Sequence, residues 1–366
     1  MNTNSTNQTF DKRRARIAHK VALLRGWSRA EALKQNSQAV KLEIPATRMD
    51  GLPSEVFLYR PEAFLEDPKA GDVLSTTPPS GPFAVTSDAP HIMSSVVLPA
   101  TPPQRPALFV FHGGGFVLGH ALLIDRVCAY VCRKADVLVF NVEYLKAPEH
   151  PYPEALNQVD GILEYIANHA SVFSIDPQCF FLMGFSAGAN LATVCAMRAR
   201  TKNRFSICGQ ILHYPYLDAV TPITEKDPEG QVEVDEITEF FNELYAPASL
   251  RGLPELSPIC ATKEDLIGLA PVLCITTDRD VLRKEAIRYI EALDDAGVMA
   301  EEMVMIDMDH AYIERWSSPT SSVGEADGEG ARINEAVIEA LDASVRFIKT
   351  HTVAPPQLEP LPAQQA

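Results

Sequence analysis

From residue 107 onward, short apolar runs alternate with longer stretches whose apolar residues recur every three or four positions. Runs at 107–111, 137–142, 179–183, 209–214, 271–276 and 302–306 predict strands, and stretches at 121–134, 153–169, 188–200, 281–296 and 333–349 predict amphipathic helices. A strand that is apolar at nearly every position is covered on both faces, so the alternation predicts a mostly parallel sheet with helices on both sides. Ahead of it, 39–49 and 54–60 read as two further strands, an antiparallel hairpin at the sheet edge, bringing the expected sheet to about eight strands. The expected fold class is α/β.

Three stretches break this rhythm. Residues 10–36 read as one or two amphipathic helices before any strand, placed to lie over a site. Residues 62–105, rich in Pro, Ser, Thr and Gly, read as a long surface insert with one strand near Met93 to Leu98. Residues 219–262 are acidic from Glu225 to Glu239, then carry Phe240, Phe241, Leu244 and Tyr245 at helical spacing, the pattern of a lid rising above the sheet. A Gly/Ser/Asp/Glu stretch at 317–331 and the Pro/Gln-rich tail after Thr352 read as unstructured.

Composition narrows the partners. At 46% hydrophobic, the 366 residues can bury a sizeable core. With 48 acidic against 32 basic residues and a formal charge of −16, nucleic acid and anionic membrane are poor matches, and small neutral substrates suit the chain better. Arg13, Arg14 and Arg16 are followed by no long apolar run, so neither a secretory signal nor a membrane anchor is expected, and the expected compartment is cytoplasmic. The seven cysteines, at 128, 132, 179, 195, 208, 260 and 274, lie mostly in apolar segments and read as buried reduced thiols. Cys128 and Cys132 share a helical face, but no second Cys/His pair at ligand spacing accompanies them, so no metal is expected.

The candidate chemistry lies at two strand ends. Phe109-Val110-Phe111 runs into His112-Gly113-Gly114-Gly115, a turn able to aim backbone N–H groups at an oxyanion. Further on, Phe180 to Met183 runs into Gly184-Phe185-Ser186-Ala187-Gly188, followed by a helical pattern: the strand-turn-helix setting of a nucleophilic serine. The alternative is a glycine-bearing turn that binds phosphate or merely packs. A serine hydroxyl needs a base, and the chain order expected after it is acid, then histidine. Only His310 and His351 come late enough; His310 directly follows the strand Met303 to Ile306, while His351 sits beyond the last helix. For the acid, Asp278 and Asp280 both follow the strand ending at Thr276; Asp280 is preferred because Val281 and Leu282 begin the next helix at once, and Asp307 and Asp309 remain alternatives. The N–H groups of Gly113, Gly114 and Ala187 are the candidate oxyanion donors, while His112 reads as a prop for its loop. The aromatic residues Phe116, Tyr144, Tyr214, Tyr216, Phe240, Phe241 and Tyr245 could line a pocket, but core packing is the commoner use.

With these residues in place, the chain resembles the hormone-sensitive lipase-like family of α/β-hydrolases, also called bacterial family IV esterases. The likeness runs from about residue 107 to 315 through His112–Gly115, Glu143 to Pro153, the turn at Ser186, Tyr214-Pro215-Tyr216-Leu217-Asp218, Ser257-Pro258, Asp280 to Glu285 and Asp309-His310. The separations of 94 residues from Ser186 to Asp280 and 30 from Asp280 to His310 also look like that family's. The resemblance implies an α/β-hydrolase core at 39–218 and 263–352, within which the long insert 62–105 is atypical of the family. It further implies a cap built from N-terminal helices in 1–38 and from 219–262, with a tail at 353–366. It implies carboxylesterase activity on short- to medium-chain acyl esters, with a Ser186–His310–Asp280 triad and no cofactor. Four positions depart from the family's pattern: Phe185 where an acidic residue is usual, Ala189 for a common glycine, and Leu145-Lys146 for Arg-Leu. An amidase or peptidase using the same triad and a non-catalytic ligand-binding protein are the rival readings, and a homodimer is left open.

Overall fold

The computed structural model describes residues 17–30, 32, 37, 39–45, 48, 50–61, 104–200, 204–226, 235–317 and 328–352. The strand expected near 93–98, nearly all of the 62–105 insert, most of the 317–331 stretch and the tail from 353 lie outside the described residues. Eight strands form one sheet: β1 (Val40–Ile44), β2 (Ser54–Tyr59), β3 (Arg105–Phe111), β4 (Leu138–Val142), β5 (Ile175–Phe185), β6 (Ile207–His213), β7 (Val272–Thr277) and β8 (Ala300–Met305). Their spatial order is β1-β2-β4-β3-β5-β6-β7-β8. The β1–β2 and β2–β4 pairs are antiparallel and the rest parallel.

Period-two alternation in apolar strands divides the core into two layers. From β3, Phe109 and Phe111 point to one side with Phe140, Phe180 and Leu182; Leu108 and Val110 point to the other with Val139, Phe181 and Met183. Burying each of these phenylalanines contributes roughly 2–3 kcal/mol. Eight helices are named here: α1 (17–30), α2 (Asp125–Ala135), α3 (Glu154–Asn168), α4 (Ala187–Ala199), α5 (Asp235–Tyr245), α6 (Arg283–Asp295), α7 (Tyr312–Ser317) and α8 (Glu329–His351). α3, α4 and α6 supply Leu156, Val159, Leu191, Val194, Ala286 and Tyr289 to the first layer. α2 and α8 supply Val127, Val131, Val337 and Leu341 to the second.

Two boundaries differ from the sequence pattern for local reasons. The helix expected from 121 begins as a single 3-10 turn, Ala121–Ile124, capped where His120 Nδ1 accepts from Leu122 N at 3.1 Å, and becomes α-helical only from Asp125. β5 begins four residues before the apolar run, because Ile175 pairs with Arg105 across a register shift that the polar Asp176-Pro177-Gln178 conceals. The loops after β3, β5, β6, β7 and β8 all leave the carboxyl edge of the parallel sheet, where ligands of open α/β sheets gather.

Candidate active site

Ser186 links β5 to α4 in a strained conformation, φ 52° and ψ −116°. Such a backbone costs about 1–3 kcal/mol, and the surrounding structure must over-determine it. It does so through four hydrogen bonds: Ser186 N donates to His213 O at 3.0 Å, and Ser186 O accepts from the N–H groups of Ala189, Asn190 and Tyr216 at 3.0, 3.2 and 3.2 Å. The turn is also tight against its neighbours, since a Cβ on Gly188 would run into the carbonyl oxygens of Phe111 and His112, and one on Gly184 into that of Gly188. Glycine at these two places is what lets β5 and α4 close on the end of β3.

The hydroxyl so presented meets the other predicted groups. Ser186 Oγ lies 3.0 Å from His310 Nε2, and His310 Nδ1 lies 2.6 Å from Asp280 Oδ2. A carboxylate only accepts, so Nδ1 carries the proton toward Asp280 and Nε2 is left to accept from the serine. Asp280 is buried and its second oxygen accepts from Leu282 N at 2.9 Å, which fixes the carboxyl plane. Burial alone would push the His310 pKa down; the charge and hydrogen bond of Asp280 outweigh it and the net shift is upward, so the imidazolium is favoured. The competing aspartates are placed elsewhere. Asp278 is exposed at the cavity edge; Asp307 pairs with Arg279 at 2.6 Å and Arg332 at 3.2 Å; Asp309 pairs with Arg315 at 3.5 Å.

Around Ser186 opens a cavity of about 880 Å³ lined by Gly114, Gly115, Phe116, Ala187, Tyr216, Phe241, Asn242 and Leu282, among others. Gly114 and Ala187, two of the predicted oxyanion donors, stand on its wall; Gly113 lies behind, against the Glu314 carboxyl and Phe185 O. His112 is buried, and burial drops its pKa to about 3, so it is neutral and no base at neutral pH. Its Nδ1 lies 2.6 Å from Gly113 O, its ring stacks on Tyr144 at 4.2 Å, and Tyr144 Oη donates to His112 O at 2.9 Å. Lys146 holds the same segment by donating to Tyr144 O at 3.0 Å and pairing with Glu143. Phe185 packs face to face on His213 at 4.7 Å, and Ala189 is buried in the first turn of α4.

Of the aromatic residues set aside in the sequence, Phe116, Tyr216 and Phe241 line the cavity. Phe116 stacks on Tyr245 at 3.9 Å, and Tyr216 Oη donates to Asn242 Oδ1 at 2.8 Å, so α5 is seated on the core loops. Glu314 went unnoticed in the sequence; it lines the cavity four residues past His310, and its Oε2 accepts from Tyr214 Oη. An acid one turn beyond a candidate base was the available signal. Among the described residues, no cluster of three or more His, Cys, Asp or Glu side chains is arranged to hold a metal ion.

Comparison with known proteins agrees with this architecture: a family model described as the alpha/beta hydrolase fold matches residues 108–314. The chain belongs to the α/β-hydrolase family. Within it, the resemblance to hormone-sensitive lipase-like, family IV members holds. It is 31% identical over 238 residues to Esterase LipI of Mycobacterium tuberculosis, an alignment spanning 63% of this chain and 74% of LipI. It is 33% identical over 244 residues to Carboxylic ester hydrolase LipN of the same organism, spanning 63% of each. Among solved structures, EstE1, a thermophilic carboxylesterase cloned from a metagenomic library, superposes with a TM-score of 0.69 at 23% identity, covering 93% of this chain and 98% of EstE1. That likeness is one of fold. Among the described residues, no helix is long and apolar enough to cross a membrane.

Proposed function

We propose that the chain is a serine carboxylesterase acting on small-molecule esters through an acyl-enzyme. The observation that carries this reading is the unbroken relay from Ser186 Oγ to His310 at 3.0 Å and on to Asp280 at 2.6 Å, opening into the large cavity. Relatives named esterase and carboxylic ester hydrolase support the same reaction class. In the first half, Ser186 Oγ attacks the ester carbonyl as His310 Nε2 takes its proton, and the carbonyl oxygen gathers negative charge. The N–H groups of Gly113, Gly114 and Ala187 receive that charge, Ala187 from the N-terminus of α4, each donor contributing about 3 kcal/mol in comparable sites. The tetrahedral species collapses, the C–O bond to the alcohol breaks, and the alkoxide takes the proton from His310. In the second half, water gives its proton to His310, adds to the acyl carbon and releases the acid, and Ser186 recovers its proton.

In this reading the described part of the 219–262 excursion, with Ile223, Thr238, Phe241 and Asn242 on the cavity wall, acts as a cap together with α1, over the described parts of a core at 39–218 and 263–352. A cavity of about 880 Å³ suits short- to medium-chain acyl groups. A cytoplasmic setting agrees with seven cysteines that form no disulfide, six of them buried. The test is hydrolysis of p-nitrophenyl esters from acetyl to palmitoyl beside Ser186→Ala and a matching anilide. Ester turnover peaking at short chains and falling by several powers of ten in the variant is expected. Turnover that survives in Ser186→Ala refutes the reading, and anilide turnover alone moves the protein to the amidases.

A further inference from the structure

We propose that Glu314 is a positioning residue of this site, a second carboxyl that holds Tyr214 against the ring of His310 and steadies the imidazolium formed when Ser186 gives up its proton. The proposal rests on the serine-esterase reading above. Glu314 stands in α7, and its two oxygens have different tasks. Oε2 accepts from Tyr214 Oη, and the Tyr214 ring meets His310 edge-on, with centroids 5.1 Å apart and planes at 67°. Oε1 lies against the oxyanion loop, where a Cβ on Gly113 would come within 2.5 Å of it. The carboxyl therefore lies between the loop that receives the oxyanion and the aromatic residue that backs the base. It is part of the cavity wall and not buried filler.

Proton transfer from Ser186 Oγ to His310 Nε2 creates a positive ring on the cavity wall. Asp280 answers that charge at Nδ1; Glu314 adds a second negative group on the Tyr214 side. Besides these two, Glu285 of α6 acts on the ring from a distance, while Asp309 and Arg315 beside it are paired with each other. The Glu314 carboxyl is itself raised above the ordinary range by burial, a shift moderated by the Tyr214 hydroxyl, by His310 and by Arg315. Tyr144 and Tyr312 also sense its charge.

The sign follows from the base being active only when neutral. The acid limb of kcat/KM tracks the His310 ionisation, and any neighbour that favours the imidazolium holds that limb at higher pH. The experiment is the pH profile of kcat and kcat/KM for wild type, Glu314→Gln and Tyr214→Phe, with Ser186→Ala as the blank. Glutamine fills the same space and still accepts from Tyr214. Its acid limb is expected to move down by about half a pH unit or more, with plateau kcat lowered roughly 3- to 10-fold and KM little changed. A limb that stays in place or moves up overturns the proposal, because a merely structural Glu314 leaves it unmoved. Should Glu314→Gln not fold, Tyr214→Phe reads the same contact. Without the phenol the carboxyl holds its proton more tightly, so the limb again falls, and an unmoved limb again overturns the idea. Turnover surviving in Ser186→Ala removes the esterase reading and this proposal with it, whereas a dead Ser186→Ala beside an unmoved limb strikes Glu314 alone.

Discussion

Replacing Asp280 by asparagine tests the relay at its least visible member, and the structure says what the amide will do. In the protein as it stands, Oδ1 accepts from Leu282 N at 2.9 Å and Oδ2 faces His310 Nδ1 at 2.6 Å. An asparagine keeps its oxygen on the Leu282 amide, since that N–H is buried and needs an acceptor, and so turns its NH₂ toward His310. Two donors then face each other across 2.6 Å. The imidazole relieves the clash by moving its proton from Nδ1 to Nε2, where it points at Ser186 Oγ and can no longer accept the serine's proton. The volume is unchanged and no buried charge is stranded, so the fold stands while the base is lost. In the best-measured triad the same exchange drops kcat about 10⁴-fold, equivalent to about 5.5 kcal/mol of barrier, and a loss of that order is expected here. The assay is kcat on p-nitrophenyl butyrate at pH 7 to 9, with a thermal melt to show that folding is intact. Asp278→Asn is the control; its side chain is exposed, and its turnover is expected to stay within about threefold of wild type. A folded Asp280→Asn variant within tenfold of wild type, or an Asp278→Asn that loses more, refutes the assignment of the acid.

Two further substitutions probe the turn and the wall. Gly188→Ala drives a methyl into the carbonyls of Phe111 and His112, which are backbone and cannot swing aside; a loss of about 3 kcal/mol or more is expected, seen as a lower urea midpoint together with lost turnover, and an unchanged midpoint contradicts the tight β3–α4 approach. Phe241→Ala removes a ring that lies over Gly115 on the cavity wall; the acyl-chain optimum is expected to lengthen while kcat on the acetyl ester changes less than about threefold, and an identical chain-length profile counts against the lid reading.

The fold was legible because this sheet needs apolar residues on both faces. Runs such as Leu108-Phe109-Val110-Phe111 have no other comfortable place, and eight strands in the expected succession follow from them. What resisted reading was the polar beginning of β5, since Asp176 and Gln178 are held by a register shift and local hydrogen bonds rather than by burial. At the site, the meeting of Ser186, His310 and Asp280 was legible because each follows a strand end in the order that an acyl-transfer triad would need. Glu314 was not, because its meaning depends on Tyr214, a residue 100 positions away that only the sheet brings beside it. Phe185 shows the same limit: the sequence marks it as unusual, and its partner His213 is visible only across the β5–β6 register.

One helix ties the described part of the 219–262 excursion to the candidate site. α6 begins just after Asp280, so its first turn carries the acid's support, and Glu285 in that turn reaches back under the excursion. Glu285 Oε1 accepts from Leu217 N at 2.7 Å, at the point where the chain leaves the sheet, and Oε2 meets Lys226 Nζ at 2.6 Å, at the end of the described part of that departure. Both side chains are nearly buried, and burial pushes the Glu285 carboxyl up to about 7 even with the ammonium beside it. Lys226 also donates to Asp218 O and lies 4.7 Å over the Tyr216 ring, the same ring that lines the cavity and binds Asn242 of α5. The cavity wall at Tyr216 and the carboxyl of Asp280 are thus fastened to the same turn of α6. A buried pair of this kind is costly to form and more costly to break from one side, so the segment it fastens is held in one place. On the proposed esterase reading, chain-length selection and base orientation are therefore set by neighbouring bonds of a single element, not by two independent parts of the fold.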